Sequence, residues 1–161
     1  CDLEIEAQLE RFEDRSDGGS PADNGRQRTQ GNAPRFDVRT HLYQMTGVDL
    51  TRIDGIDGFT ALKVISEIGT DMTKWPSANP PVAESWLGLS PDHRITGGRV
   101  MSSKTKPSAN RAAAALRLAA NALHRSDSAL GAFLRRKKAQ MGAPKAITAT
   151  AHKLARLIYT M

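Results

Sequence analysis

The chain has one cysteine, at position 1, which excludes an internal disulfide and a cysteine-built zinc cluster. Aromatic residues are only 5% of the 161 residues and hydrophobic residues 39%, so part of the chain is expected to serve as linker rather than core. No apolar run approaches membrane-spanning length and no signal peptide is visible, which points to a cytoplasmic protein without a membrane partner. The four histidines, His41, His93, His124 and His152, lack the close pairing of metal-binding helices, so no metal ligands are assigned. The chain also opens on Cys-Asp-Leu without an initiator methionine, as a piece of a longer protein would.

Acid is the other scarce component, and its scarcity is local. Residues 1–24 carry eight acids against Arg11 and Arg15, and residues 25–93 are near balance with seven bases and eight acids. From residue 94 onward fourteen bases face one acid, Asp127. A solubilising surface mixes signs, whereas an excess of this size builds a positive potential that attracts polyanions. DNA or RNA is therefore the expected partner.

The centre of that basic region is Arg94 to Arg111, RITGGRVMSSKTKPSANR, read as a glycine- and hydroxyl-rich loop between helical blocks. Gly97 and Gly98 let backbone approach a ligand closely. Thr96, Ser102, Ser103, Thr105 and Ser108 alternate with Arg94, Arg99, Lys104, Lys106 and Arg111. Hydroxyls among cations suit phosphate, for binding or for nucleophilic attack. A plain solvated loop is the other reading of the same composition.

Along the chain, the acidic CDLEIEAQLERFED reads as a short amphipathic helix, or the end of a longer coiled-coil-like one, over 1–15. Residues 16–33 read as a flexible linker, and 34–161 as the folded unit. In that unit a helix is expected from Val38 to Met45, ended by Gly47, and another after Gly58 with Leu62, Ile65 and Ile68 at helical spacing. The turn around Gly55 and Gly58 resembles the hairpin of helix-hairpin-helix DNA-binding proteins, where backbone N–H groups at a helix start hold a phosphate. Asp54 and Asp57 oppose that role, and a plain helix-turn-helix core accounts for the same glycines. A proline-bounded short helix should then bring Val82, Trp86 and Leu87 to the core, with Trp75 as a further core filler.

Downstream, Ser108 is the expected N-cap of an alanine-rich helix with Leu116, Leu118 and Leu123 on its apolar side. A second helix carries the run Arg135, Arg136, Lys137 and Lys138 for phosphate contact, and a third presents Ile147, Ala151, Leu154 and Ile158 on one face. The fold class is all-α, a helical bundle with a basic surface.

The order GIDGFTALKVISEIG, SWLGLSPDHRITGGRV, SSKTKPSANRAAAALRLAA and ALGAFLRRKKAQMGAPKAITATAHKLARLIY closely resembles the C-terminal transposase domain of the insertion sequence one-hundred-and-ten family, the bridge-RNA-guided recombinases. The resemblance spans roughly Asn32 to Met161. It implies a missing N-terminal RNase-H-like domain whose DEDD carboxylates bind magnesium, a serine nucleophile in the helical domain, a covalent phosphoserine link to DNA, a structured guide RNA and a tetramer. Where the family places its serine, in a Ser-Gly stretch after a Gly-Leu-x-Pro turn, this chain has Thr96 before Gly97. Ser102 and Ser103, a few residues on, are the next candidates. Two other roles fit the same residues. One is a catalytically silent nucleic-acid-binding remnant, and the other is an assembly protein whose acidic start mediates oligomerisation.

Overall fold

The computed structural model describes residues 2–23, 34–71, 87–89, 94–102, 104–105 and 110–161. The expectations for Trp75, Val82, Trp86, His93, Ser103, Lys106, Ser108 and most of the linker lie outside these residues. Six α-helices and one two-stranded sheet are found among those described: α1 Asp2–Leu9, α2 Val38–Thr46, α3 Gly58–Ile68, β1 Arg94–Thr96, β2 Arg99–Ser102, α4 Arg111–Ala122, α5 Ala129–Met141 and α6 Ala143–Thr160. The protein is mostly helical, as expected.

Local chemistry sets the helix boundaries. Asp37 caps α2 by accepting from the Thr40 N–H, and Gly47, at φ 74°, closes it by donating to the Tyr43 carbonyl. Between them Val38, Leu42 and Met45, spaced one turn apart, are buried. Asp57 caps α3 in the same way through Thr60. The buried residues of α3 are Ala61, Val64 and Ile65, while Leu62 and Ile68 sit half-buried at the core edge, so its inward face is turned slightly from the expected one. Residues 16–23, at the start of the expected linker, run against α2. Just before them the Arg15 N–H donates to the Gln44 carbonyl at 2.7 Å, and within them the Ala22 carbonyl accepts from the Arg39 guanidinium of α2.

Two sequence expectations are corrected in the basic half. The cap of α4 is Asn110, whose side chain accepts from the Ala113 N–H, rather than Ser108, because helical dihedrals begin at Arg111. The apolar side of α4 is built from alanines with Leu116, and Leu118 is 69% exposed. Small side chains let α4 pack between α3 and α6, while α6 also packs along α5. The expected face of α6 is largely right: Ala151, Leu154 and Ile158 are buried and Ile147 is half-buried. Burying Leu116, Leu134 and Leu154 contributes about 2 kcal/mol each.

Close approach is enforced where α5 begins. Gly131 lies so near the preceding turn that a Cβ there would stand 2.2 Å from the Ser126 carbonyl oxygen and 2.9 Å from that of Leu123. Only glycine fits there without displacing backbone.

Candidate functional site

The segment read as a basic loop is a β-hairpin. Ile95 pairs with Val100 and Thr96 with Arg99, leaving Gly97 and Gly98 as a two-residue tip. Both glycines have positive φ, 57° and 76°, which is the requirement of the tight turn that joins twisted antiparallel strands. The signal stood in the sequence as Gly-Gly flanked by Ile95 and Val100, and the surrounding charge obscured it.

Strand geometry sorts the hairpin into two faces. Thr96 and Arg99 are direct cross-strand partners on one side, and Arg94 lies two residues before Thr96, beyond a register shift in the ladder. Ile95 and Val100 form the other face, 61% and 55% exposed. Every residue from Arg94 to Met101 is exposed. A threonine thus has one arginine across the ladder and a second two residues away on an open hairpin, residue types able to hold a phosphodiester and to place an oxygen against it. Ser102, half-buried at the end of β2, accepts a hydrogen bond from the Lys104 N–H at 3.4 Å. A register shift separates the Arg94 to Ser102 pairing from the rest of the ladder. Ser103 and Lys106 lie outside the described residues.

The other candidate residues are distributed over the bundle. Gly55, at φ 87°, faces α4, and a Cβ there would meet Leu123 Cγ at 2.9 Å and the Ala119 carbonyl oxygen at 3.0 Å. Packing of the turn on α4 therefore accounts for this glycine. Gly58 opens α3 directly after Asp57, whose carboxylate accepts from the Thr60 N–H at 2.7 Å and places negative charge where a phosphate would sit. Arg111 pairs with Glu67 of α3 at 2.6 Å.

In the basic run of α5, Arg135 donates to the carbonyls of Ser126 at 2.6 Å and His124 at 3.3 Å, tying down the turn before its own helix. Lys138 Nζ lies 3.0 Å from His124 Nε2. Arg136 and Lys137 stand 5.9 and 5.8 Å from the ring centre of Phe133, and Lys153 of α6 stands over it at 4.5 Å. Sequence reasoning passed over Phe133, because nothing local marks a ring whose surroundings come from a second helix.

Electrostatics in the acidic half are more tightly paired. Arg39 and Asp49 form an ion pair at 2.6 Å with the aspartate side chain 5% exposed. Burial pushes the Asp49 carboxyl up, but hydrogen bonds from Arg39 and Thr51 and the nearby positive charge outweigh it, leaving the group below the usual carboxylate range. The Arg39 guanidinium is correspondingly raised, chiefly by its hydrogen bond to Asp49.

The histidines, scattered in sequence, are not all isolated in space. His41 of α2 meets Glu6 of α1 and Glu10 in the turn after it, with one donor atom from each lying within 4.8 Å of the others. Two carboxylates and an imidazole form a different donor set from the four-carboxylate cluster expected of the magnesium-binding domain. No step of the chemistry is assigned to them. No helix among the described residues is long and apolar enough to cross a membrane.

Residues 47–135 match the family described as Transposase IS116/IS110/IS902, a span of more than half the chain that runs from Gly47 through the hairpin to Arg135. No curated protein and no solved structure matches the chain.

Proposed function

The chain belongs to the transposase IS116/IS110/IS902 family, and from that membership in a family of DNA-transposing proteins we propose that it is the DNA-binding, nucleophile-bearing part of the enzyme. In this reading the Thr96 hydroxyl attacks a DNA phosphodiester. Its proton departs, its oxygen bonds to phosphorus, and the bond from phosphorus to the bridging sugar oxygen breaks, with the released sugar hydroxyl taking up a proton. The phosphodiester is exchanged rather than hydrolysed, so strand transfer can reverse the step without an external energy source. Arg94 and Arg99 stabilise charge on the non-bridging oxygens, and losing either would cost about 3 kcal/mol of barrier.

One observation carries the reading: Thr96 is the cross-strand partner of Arg99, two residues from Arg94, at the exposed tip of a hairpin turned by two glycines. Ser102 and Ser103 remain the alternative nucleophiles. A separate acidic domain holding magnesium, a structured guide RNA and assembly of four copies complete the proposed machine, while the run Arg135–Lys138 adds phosphate contacts.

The test is covalent capture of DNA by the protein assembled with its acidic domain. Thr96→Ala should reduce capture by at least about 100-fold, as loss of a covalent nucleophile does, and leave DNA binding intact. Capture that survives Thr96→Ala but fails in Ser102→Ala or Ser103→Ala moves the nucleophile down the chain. Capture that survives all three removes the hairpin from the chemistry. If the chain only holds nucleic acid, no substitution produces a capture defect and affinity falls steeply with salt.

A further inference from the structure

Between α5 and α6, closed on one side by Leu89, lies an open groove of about 580 Å³. Leu89, Ala149 and Leu157 give it apolar walls, Phe133 gives it a ring, and Lys153, Arg156, His152 and Thr160 give it polar groups. Arg136 and Lys137 approach the same ring from α5, so three cations lie within 6 Å of the centre of one half-buried phenyl. The negative face of the ring offsets part of their mutual repulsion. Asp127 is the sole acid after residue 93, and none of the residues lining the groove is a carboxylate. Such a cluster gains from an anion.

The groove's shape indicates which kind. A rigid duplex binds through its backbone to a convex or flat basic surface and keeps its bases stacked away from an apolar ring. An unpaired strand offers both components, a base whose flat faces stack on a ring and a phosphate that pairs with cations. The volume falls in the range of small-ligand sites and suits one or two bases. His152 and Thr160 of the same lining offer polar atoms to either sugar, so the choice of DNA over RNA follows the DNA-processing reading above.

We propose that the groove between α5 and α6 holds an unpaired segment of a DNA strand, with a base against Phe133 and its phosphates on Lys153 and Arg156. The proposal rests on the DNA-processing reading above but uses none of the hairpin's residues. It gives the bundle a role distinct from duplex binding. It keeps a displaced strand from re-pairing while the phosphodiester at the hairpin is exchanged.

The experiment compares affinities of the whole chain for a twelve-nucleotide oligothymidylate, the matching oligouridylate and a twenty-base-pair duplex at one salt concentration. Phe133→Ala should weaken oligothymidylate binding about tenfold, the expected loss of one stacked base, and leave duplex binding unchanged. Lys153→Ala and Arg156→Ala should weaken both DNA forms. Phe133→Trp should preserve the single-strand affinity. If Phe133→Ala does not fold by circular dichroism, Ala149→Leu decides, because it narrows the groove from α6 and should produce the same selective loss. An unchanged affinity for oligothymidylate in a folded Phe133→Ala or Ala149→Leu chain overturns the proposal. So does tighter binding of oligouridylate than oligothymidylate, which would assign the groove to RNA. Failure of the duplex alone to bind the unsubstituted chain would count against the DNA reading of the hairpin, not against the groove.

Discussion

Between residues 37 and 68 the helices start on carboxylates, and those beyond the hairpin start on neutral groups. Asp37 caps α2, Asp49 caps the short 3-10 turn Leu50–Arg52, and Asp57 caps α3. Beyond the hairpin, Asn110 caps α4, Ser128 caps α5, and α6 begins at Gly142 with Pro144 in its first turn. A carboxylate at a helix start gains about 0.3–1 kcal/mol from the helix dipole, so the neutral caps forgo a modest stabilisation. In exchange the carboxy-terminal half keeps its positive potential undiluted. The same division appears in how the halves are held, by an ion pair on one side and by close neutral contact on the other.

Gly131→Ala tests the neutral half most severely. The added Cβ would overlap the Ser126 carbonyl, and the turn before α5, which Arg135 also binds, would have to move. We expect a loss of about 3 kcal/mol in urea unfolding, since overpacking against backbone relaxes poorly. Thr96→Ala, on an exposed strand outside the core, should leave the same unfolding curve unchanged. If Gly131→Ala is tolerated, the close contact at α5 is not what holds the basic half together.

Capping and periodicity were legible because they are local. Asp37, Gly47 and the apolar spacing of α2 and α6 mark themselves within a few residues. The hairpin was legible in principle, but its charge suggested a loop. Ser108 is the expected cap and Asn110 takes the role, because both are good capping residues and only the backbone decides where helical dihedrals begin. Leu118 faces solvent because alanines already fill the approach of α4 to its neighbours, which a search for large apolar residues overlooks. The Phe133 groove and the meeting of His41 with Glu6 and Glu10 depend on helices separated by many residues, and no local pattern encodes them.

The acidic half should show its dependence on carboxylates in its response to pH. The Asp49 carboxyl is held below its ordinary value in the folded protein, so it contributes stability that is fully present above about pH 4. That contribution disappears as pH falls through the lower folded value. Asp49→Asn should cost about 2 kcal/mol at neutral pH, toward the low end for breaking a buried pair because Arg39 remains partly solvated. The variant should also lose less further stability than the unsubstituted chain between pH 4 and pH 2. Equal acid sensitivity in both would place the pH response in other carboxylates and weaken the contrast between the halves.

Glu67 on α3 crosses the boundary, reaching Arg111 at the start of α4. Arg111 is a cation at the positive end of its helix, so it gains from a carboxylate there. Its side chain is 85% exposed, and an exposed pair of this kind contributes no more than about 0.5 kcal/mol. Glu67→Ala should therefore barely move the melting temperature. Its effect on DNA should be in the opposite direction from most substitutions. Freed from the carboxylate, Arg111 can meet a phosphate, and duplex affinity should rise about twofold to threefold with a salt dependence steeper by up to about one counterion. An unchanged affinity and slope would mean that Arg111 serves the α3–α4 contact alone. The proposed nucleic-acid contacts would then be left to the hairpin before α4 and the groove after it.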